Sequence, residues 1–414
     1  MTESLVFGVM LLCLAGAMSA TFSVPMKFTS QWEWEHIWGL GSFFALLTGW
    51  TLVYVALPDF LAIYQKSSFG TLLLTFLFGA GWGVGSILFG LGIHRVGVSL
   101  GVTLILSLNA VVGSVLPLLI QHPERIVEPA GLSLLVGLAV MIVGLLLLGL
   151  AGHKRDVELG KTRTVSTQSF FTGLVICIWS GLLSPLANFA FIFGKPLTEE
   201  AAYHHGKGLS ASMTPWALAF AGCYGLNILY CVHLINARRS VRKLWRPGTA
   251  IYWLGALIMG TLWTGAMFTY GWGASELGEW GPYIGFPTLM ISSIVFANVW
   301  GVILREWRQT SRRTKTTLLL GLATLLLAFV ILGYANKLTQ ISTEKYRAAL
   351  KKGTMETNCQ DRDQCLALLA GFRLDQLRSG TGPIFFPEPR VVPGNLSGED
   401  LARLAQYRSW ANHS

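Results

Sequence analysis

Four asparagines, Asn109, Asn188, Asn227 and Asn298, each sit inside a long apolar run. An amide carries donors and an acceptor, and leaving them unpaired away from water is costly. Each therefore needs a partner. That partner is either a backbone carbonyl on a neighbouring helix or the hydroxyls of a polar solute that has shed its water. Trp82, Trp263, Tyr270 and Tyr283 lie in runs of the same kind. Their faces could stack on the apolar side of a sugar ring, although aromatic rings also fill cores and mark membrane interfaces. Trp82, Asn109, Asn188, Trp263 and Tyr270 make up the candidate solute-binding set.

Proton chemistry needs a titrating group. An acid near the centre of a membrane helix costs about 2.5–3.5 kcal/mol, and no apolar run here holds one at its centre. The nearest are Glu33, Glu35, Asp59, His94, His233, Glu276 and Glu279. Glu35 lies closest to an apolar helix start, a few residues after Lys27. A nearby ammonium would lower its pKa and desolvation would raise it. Glu35 and His94 are the candidate proton carriers, and Lys27 and Lys195 the candidate gate residues. For any one of them, an ordinary interfacial charge is the plainer reading. The chain has no HExxH, P-loop, nucleophile elbow or metal-spaced Cys/His set. No enzyme activity, cofactor or metal is therefore expected. "GAGWGVG" (79–85) superficially resembles a dinucleotide loop, but no strand precedes it and it reads as a small-residue helix face.

The elements that position these residues follow from composition. Of 414 residues, 52% are hydrophobic and 13% charged, against about 25% charged in a soluble domain. Lipid is the implied solvent. Ten runs are long enough to cross a bilayer, which takes about 20 helical residues: 4–24, 38–57, 70–92, 98–120, 130–151, 169–190, 213–235, 249–271, 282–304 and 316–335. A backbone in hydrocarbon must satisfy its own hydrogen bonds, so these are helices. The first run ends in "AMSA", like a signal-peptide cleavage site. Its start holds Glu3 and no Lys or Arg, so it reads as a membrane helix instead.

The net charge of +10 does not indicate nucleic acid, because the basic residues are sorted by side. The loops after odd-numbered runs hold 16 Lys and Arg, and those after even-numbered runs hold 4. The first set is expected to be cytoplasmic, which puts both termini in the periplasm of a bacterial-type inner membrane. The linker at 153–168 divides the helices into two sets of five, 1–152 and 169–335. At an offset of 165, Gly8, Gly16 and Ser19 meet Gly173, Gly181 and Ser184. At 181, Trp82 meets Trp263, and Phe89 meets Tyr270. An odd count per repeat inverts the second copy, an arrangement found in carriers that bind at the midplane. The expected fold is thus an all-α integral membrane protein: ten transmembrane helices as two inverted five-helix repeats. Residues 336–414 add a small C-terminal extramembrane segment, predicted to be periplasmic. There Cys359 and Cys365 are predicted to form a disulfide, which that compartment permits.

The stretch "GAMSATFSVPMKFTSQWEWEHIW" (16–38) resembles the first signature of the L-rhamnose–proton symporter family, within the drug/metabolite transporter superfamily. The matching residues are Gly16, Ala17, Ser19, Ala20, Phe22, Pro25, Lys27, Trp32, Trp34, Glu35 and Trp38. "FLFGAGWGVGSILFGLGIHRVGVSLG" (76–101), "KPLTEEAA" (195–202) and "LREWRQTSRR" (304–313) are similar to later blocks of that family. The resemblance implies a ten-helix carrier taking up L-rhamnose with a proton, with sugar, proton and lipid bilayer as its partners and no nucleic acid. The segment "ELGEWGPYIGFPTL" (276–289) departs from the family pattern, so a related deoxysugar fits equally. Two rivals stand beside this reading: a carrier for another small polar metabolite, and a transporter-like receptor with a sensing tail.

Overall fold

The structure, a computed structural model, describes residues 2–160 and 167–351. The described residues form thirteen α-helices and no strand. The first half contains α1 (Thr2–Thr21), α2 (Trp34–Ala56), α3 (Phe60–Lys66), α4 (Phe69–Val96), α5 (Val98–Gln121) and α6 (Pro129–Glu158). The second contains α7 (Thr167–Leu183), α8 (Leu186–Phe193), α9 (Lys195–His205), α10 (Leu209–Ala237), α11 (Ala250–Glu276), α12 (Gly281–Ile303) and α13 (Arg312–Lys351). Among the described residues, ten segments are long and apolar enough to cross a membrane: α1, α2, α4, α5, α6, α7 continued by α8 and α9, α10, α11, α12 and α13. The short α3 follows the second segment and packs Phe60, Ile63 and Tyr64 into the core, and α9 closes the sixth.

Two elements differ from the sequence expectation. The sixth segment is broken at Ser184–Pro185 into α7 and α8. Pro185 has no N–H to give to the preceding turn, so the helix stops and restarts. The tenth helix was expected to end at 335 and continues to Lys351. The residues after Gly333 hold no glycine or proline until Gly353, so nothing local stops it. The chain divides into two units, Met1–Thr339 and Gln340–Ser414. The first contains every solute, proton and gate candidate; of the second, only 340–351 are described. The Cys359–Cys365 disulfide lies outside the described residues.

The helices pack in a repeating pattern. Helix α1 lies against α11 and α12, and α7 lies against α4 and α5. Helix α10 packs on α4 and α2, while α2 packs on α11. Exchanging each segment for the one five places on reproduces these neighbours. Small residues let the backbones approach. A Cβ on Gly16 would overlap Ser292 of α12, and one on Gly181 would overlap Leu108 of α5. A Cβ on Gly79 would overlap the Ala219 carbonyl of α10, and one on Gly260 the Gly41 carbonyl of α2. The outer pair, α6 and α13, close over Leu134, Leu138, Met141, Leu325, Ala328 and Leu332.

Candidate functional site

Trp82 and Trp263 stand at the middle of α4 and α11, and their ring centroids are 6.1 Å apart. The repeat-matched pair is therefore brought together. From α10, Trp216, Phe220 and Tyr224 crowd Trp82 at 6.4, 6.3 and 6.1 Å. Phe22, on the turn after α1, lies 4.4 Å from Trp263. Trp216 also stacks on Phe191 of α8 at 5.6 Å and meets the edge of Tyr270 at 6.0 Å. The result is a continuous aromatic cluster joining both halves. Trp82 is only 7% exposed, so the rings close on one another in this conformation.

Inside that cluster two polar atoms have no hydrogen-bond partner among the described residues. They are Trp216 Nε1 and Tyr224 Oη. Trp216 is 1% exposed and Tyr224 is 5% exposed; the Trp263 indole N–H is directed at the Tyr224 hydroxyl as a long-range donor, so of the two Trp216 Nε1 is the one left wholly unmatched. Gly271 of α11 lies against Trp216 Nε1; a Cβ there would sit 2.7 Å away. Helix α5 carries three more such atoms, Ser107 Oγ, Asn109 Oδ1 and Ser114 Oγ. Native proteins pair most buried polar atoms, so these atoms stand out among the described residues. Sequence reading picked Asn109 and missed Trp216 and Tyr224. The mid-helix position of Tyr224, the criterion that selected Asn109, was the available signal.

Asn188 and Tyr270 are differently placed. Both are fully buried, and Tyr270 Oη donates to Asn188 Oδ1 at 2.6 Å. The Asn188 amide donates to the Gly113 and Pro282 carbonyls at 2.8 and 3.0 Å. Asn188, on the restarted helix α8, thus ties together α5, α11 and the start of α12. Its hydrogen-bonding capacity is taken up by protein. Asn227 is also fully occupied: its oxygen accepts from Trp38 Nε1 at 2.8 Å and Ser86 Oγ at 3.0 Å, and its amide donates to the Cys223 carbonyl at 2.8 Å. Asn298 donates to its own helix at Ile294. Tyr283 donates to Gln121 Oε1 at 2.6 Å, away from the cluster.

The run "WEWEHIW" (32–38) clamps α2 onto the end of α10. Glu35, 1% exposed, accepts from Arg238 Nη1 at 2.9 and 3.0 Å. Lys243 Nζ reaches Glu33 at 2.6 Å, and Trp32 Nε1 donates to the Lys243 carbonyl at 3.0 Å. The lysine's hydrogen bond, with its charge, holds the Glu33 carboxyl below the usual carboxylate range. His36 Nδ1 accepts from the Glu33 N–H at 3.2 Å, which leaves Nε2 to donate to the Ser240 carbonyl at 3.1 Å. Sequence reading passed over His36 entirely. Beyond the other ends of α2 and α10, the flanking helices α3 and α9 are paired: His205 of α9 lies 2.7 Å from Asp59 at the start of α3, and Lys66 of α3 lies 3.3 Å from Glu200 of α9.

The structure does not bring Lys27 and Lys195 together. Lys27 pairs with Glu306, which also binds Arg155 at 3.1 Å. Lys195 pairs with Glu199, one turn along α9. His94 is exposed near the end of α4.

Ten apolar crossings around a buried aromatic cluster that carries unsatisfied polar atoms are the architecture of a multi-pass membrane transporter. The chain belongs to the L-rhamnose-proton symport protein family, whose profile matches residues 1–337. Its relatives include the L-rhamnose-proton symporter of Yersinia pestis (strain Pestoides F), 26% identical over 343 residues, covering 80% of this chain and 98% of the relative. The L-rhamnose-proton symporter of Yersinia pseudotuberculosis serotype O:3 (strain YPIII) gives the same figures. These relatives are named as symporters rather than as enzymes.

Proposed function

We propose that this protein carries L-rhamnose, or a closely related deoxysugar, into the cell by proton symport across a bacterial inner membrane. The observation that carries the reading is the unpartnered buried Trp216 Nε1 beside the paired rings of Trp82 and Trp263, with the Tyr224 hydroxyl set against the Trp263 indole. A deoxysugar has one apolar edge and several hydroxyls. The tryptophan faces suit the former, and the free indole N–H and the phenol suit the latter; Asn109 of α5, whose oxygen is unpaired, is a further candidate. Asn188 and Tyr270 act as positioning residues, fixing α8 so that Phe191 and Trp216 stay stacked.

The two halves form inverted repeats in this reading, and rocking of one against the other opens the cluster alternately to each side. The loops after odd-numbered segments face the cytoplasm and both termini face the periplasm. Glu35 is the proton carrier we favour. It is buried, its cationic partner among the described residues is Arg238, and it lies on the helix pair that has to part. The test is uptake of labelled L-rhamnose into proteoliposomes under an inward proton gradient. Accumulation that collapses with a protonophore is expected. No uptake with or without the gradient overturns the sugar assignment. At 26% identity to the Yersinia symporters the lining side chains are free to suit a different cargo. Competition by other deoxysugars and small polar metabolites in the same vesicles reads that cargo directly.

A further inference from the structure

A cleft of about 460 Å³ opens where α10 ends, lined by Arg238, Arg239, Arg242, Lys243, Arg246 and Glu33. Two of its five cations are neutralised within the protein, Arg238 by Glu35 at 2.9 Å and Lys243 by Glu33 at 2.6 Å. Arg239, Arg242 and Arg246 have no carboxylate partner among the described residues. The turn that gathers them is strained: Arg239 holds φ at 50°, a left-handed conformation that a side chain disfavours. A compact group of unpaired guanidiniums is suited to a phosphate, which each can grip through two parallel hydrogen bonds.

The surroundings favour a lipid as the source of that phosphate. Trp245, between Lys243 and Arg246, is 74% exposed, and its ring lies 5.0 Å from Trp253. Ile251 and Leu254, on the first turns of α11, are 63% and 48% exposed. On a membrane-crossing helix such side chains face acyl chains, and an exposed tryptophan marks the headgroup level. A basic cleft at that depth, between two crossing helices, matches the sites that hold anionic headgroups. The geometry points to a binding site for the phosphate of an anionic phospholipid, formed by Arg239, Arg242 and Arg246 with Trp245 against the glycerol and upper acyl region. A bound phosphate would sit beside Arg238 and compete with Glu35 for it, so lipid occupancy would loosen the clamp between α2 and α10.

Native mass spectrometry of the purified full-length protein tests this, with phosphatidylglycerol, phosphatidylcholine or inorganic phosphate added. Retention of phosphatidylglycerol and not phosphatidylcholine is expected. R239Q/R242Q/R246Q should weaken retention by on the order of a hundredfold, at about fivefold per basic residue. R312Q/R313Q, elsewhere in the odd-loop set, should leave it unchanged. If the triple variant does not fold, R242Q and R246Q singly are each expected to lose about fivefold. W245A should weaken lipid binding and have no effect on phosphate. Equal retention by the arginine variants overturns the site. Binding of inorganic phosphate with no preference for phosphatidylglycerol overturns the lipid.

Discussion

Asn188 and Trp216 lie close together in the core and are satisfied in opposite ways. Asn188 spends its amide on two backbone carbonyls and its oxygen on Tyr270, while the Trp216 N–H is bonded to nothing described. The two should therefore fail differently. Asn188→Ala strands a buried phenol and two carbonyls, each costing about 1–3 kcal/mol. A fall in thermal unfolding temperature is expected, with transport lost only as the protein unfolds. Tyr224→Phe keeps the ring and removes the polar atom, whereas Trp216→Phe removes the indole N–H together with its five-membered ring and leaves a small cavity at a buried site. Tyr224→Phe should leave the melting temperature unchanged and Trp216→Phe should lower it through its cavity, while each should raise the half-saturating sugar concentration by about 2–13-fold, the loss of one hydrogen bond of ordinary strength. Unchanged saturation in both variants would remove these atoms from the site. The asparagines were conspicuous in the sequence because an amide in an apolar run needs explaining. Whether protein or solute answers that need depends on neighbours far along the chain, which no local pattern carries. Trp216 was illegible for a plainer reason: one more aromatic residue in a membrane helix looks like core.

At the scale of elements, α2 and α10 are the hinge of the proposed cycle: ion pairs hold them together at one end, and beyond the other the short helices that flank them, α3 and α9, are paired in turn. One end has Glu35–Arg238 and Glu33–Lys243; the other has Asp59–His205 and Lys66–Glu200. Glu35 is the buried member, so Arg238→Ala leaves a buried carboxylate alone, and a loss of about 3 kcal/mol is expected by thermal melting. Glu35→Gln removes the charge and spares most of that loss. If Glu35 carries the proton, its uptake becomes insensitive to the proton gradient while sugar exchange continues. Gradient-driven accumulation by Glu35→Gln would exclude it. Glu33 is half exposed, and its pair is worth under about 1 kcal/mol. Its carboxyl is held low by Lys243, so the contribution is present above the unfolded-state pKa and lost as pH falls through the folded value. Lys243→Gln should flatten that acid-side slope of melting temperature and leave the neutral value within about a degree or two. Most of the elements themselves were readable, since length and apolarity fix a membrane crossing. The break at Ser184–Pro185 was not, although its proline was in view, because membrane helices often tolerate one.

For the whole molecule, the family match and the packed helices end at nearly the same place. The profile stops at residue 337 and the compact unit at Thr339. The Yersinia pestis symporter is covered over 98% of its length by 80% of this chain. All the neighbour relations that exchange between halves lie inside that limit, as do the aromatic cluster and both clamps. A carrier cycle built on them needs nothing beyond α13. A chain truncated after Lys351, which preserves α13 as far as it is described, is therefore expected to accumulate sugar at the full-length rate in proteoliposomes. The receptor reading makes the opposite demand, because a tail that reports ligand has to be coupled to the site, and coupling is reciprocal. Removing it would then shift the sugar's apparent affinity by the coupling factor, typically about 5–150-fold. Unchanged affinity and rate in the truncated chain separate the tail from the cycle, whereas a shift in affinity with folding intact makes it a second functional site.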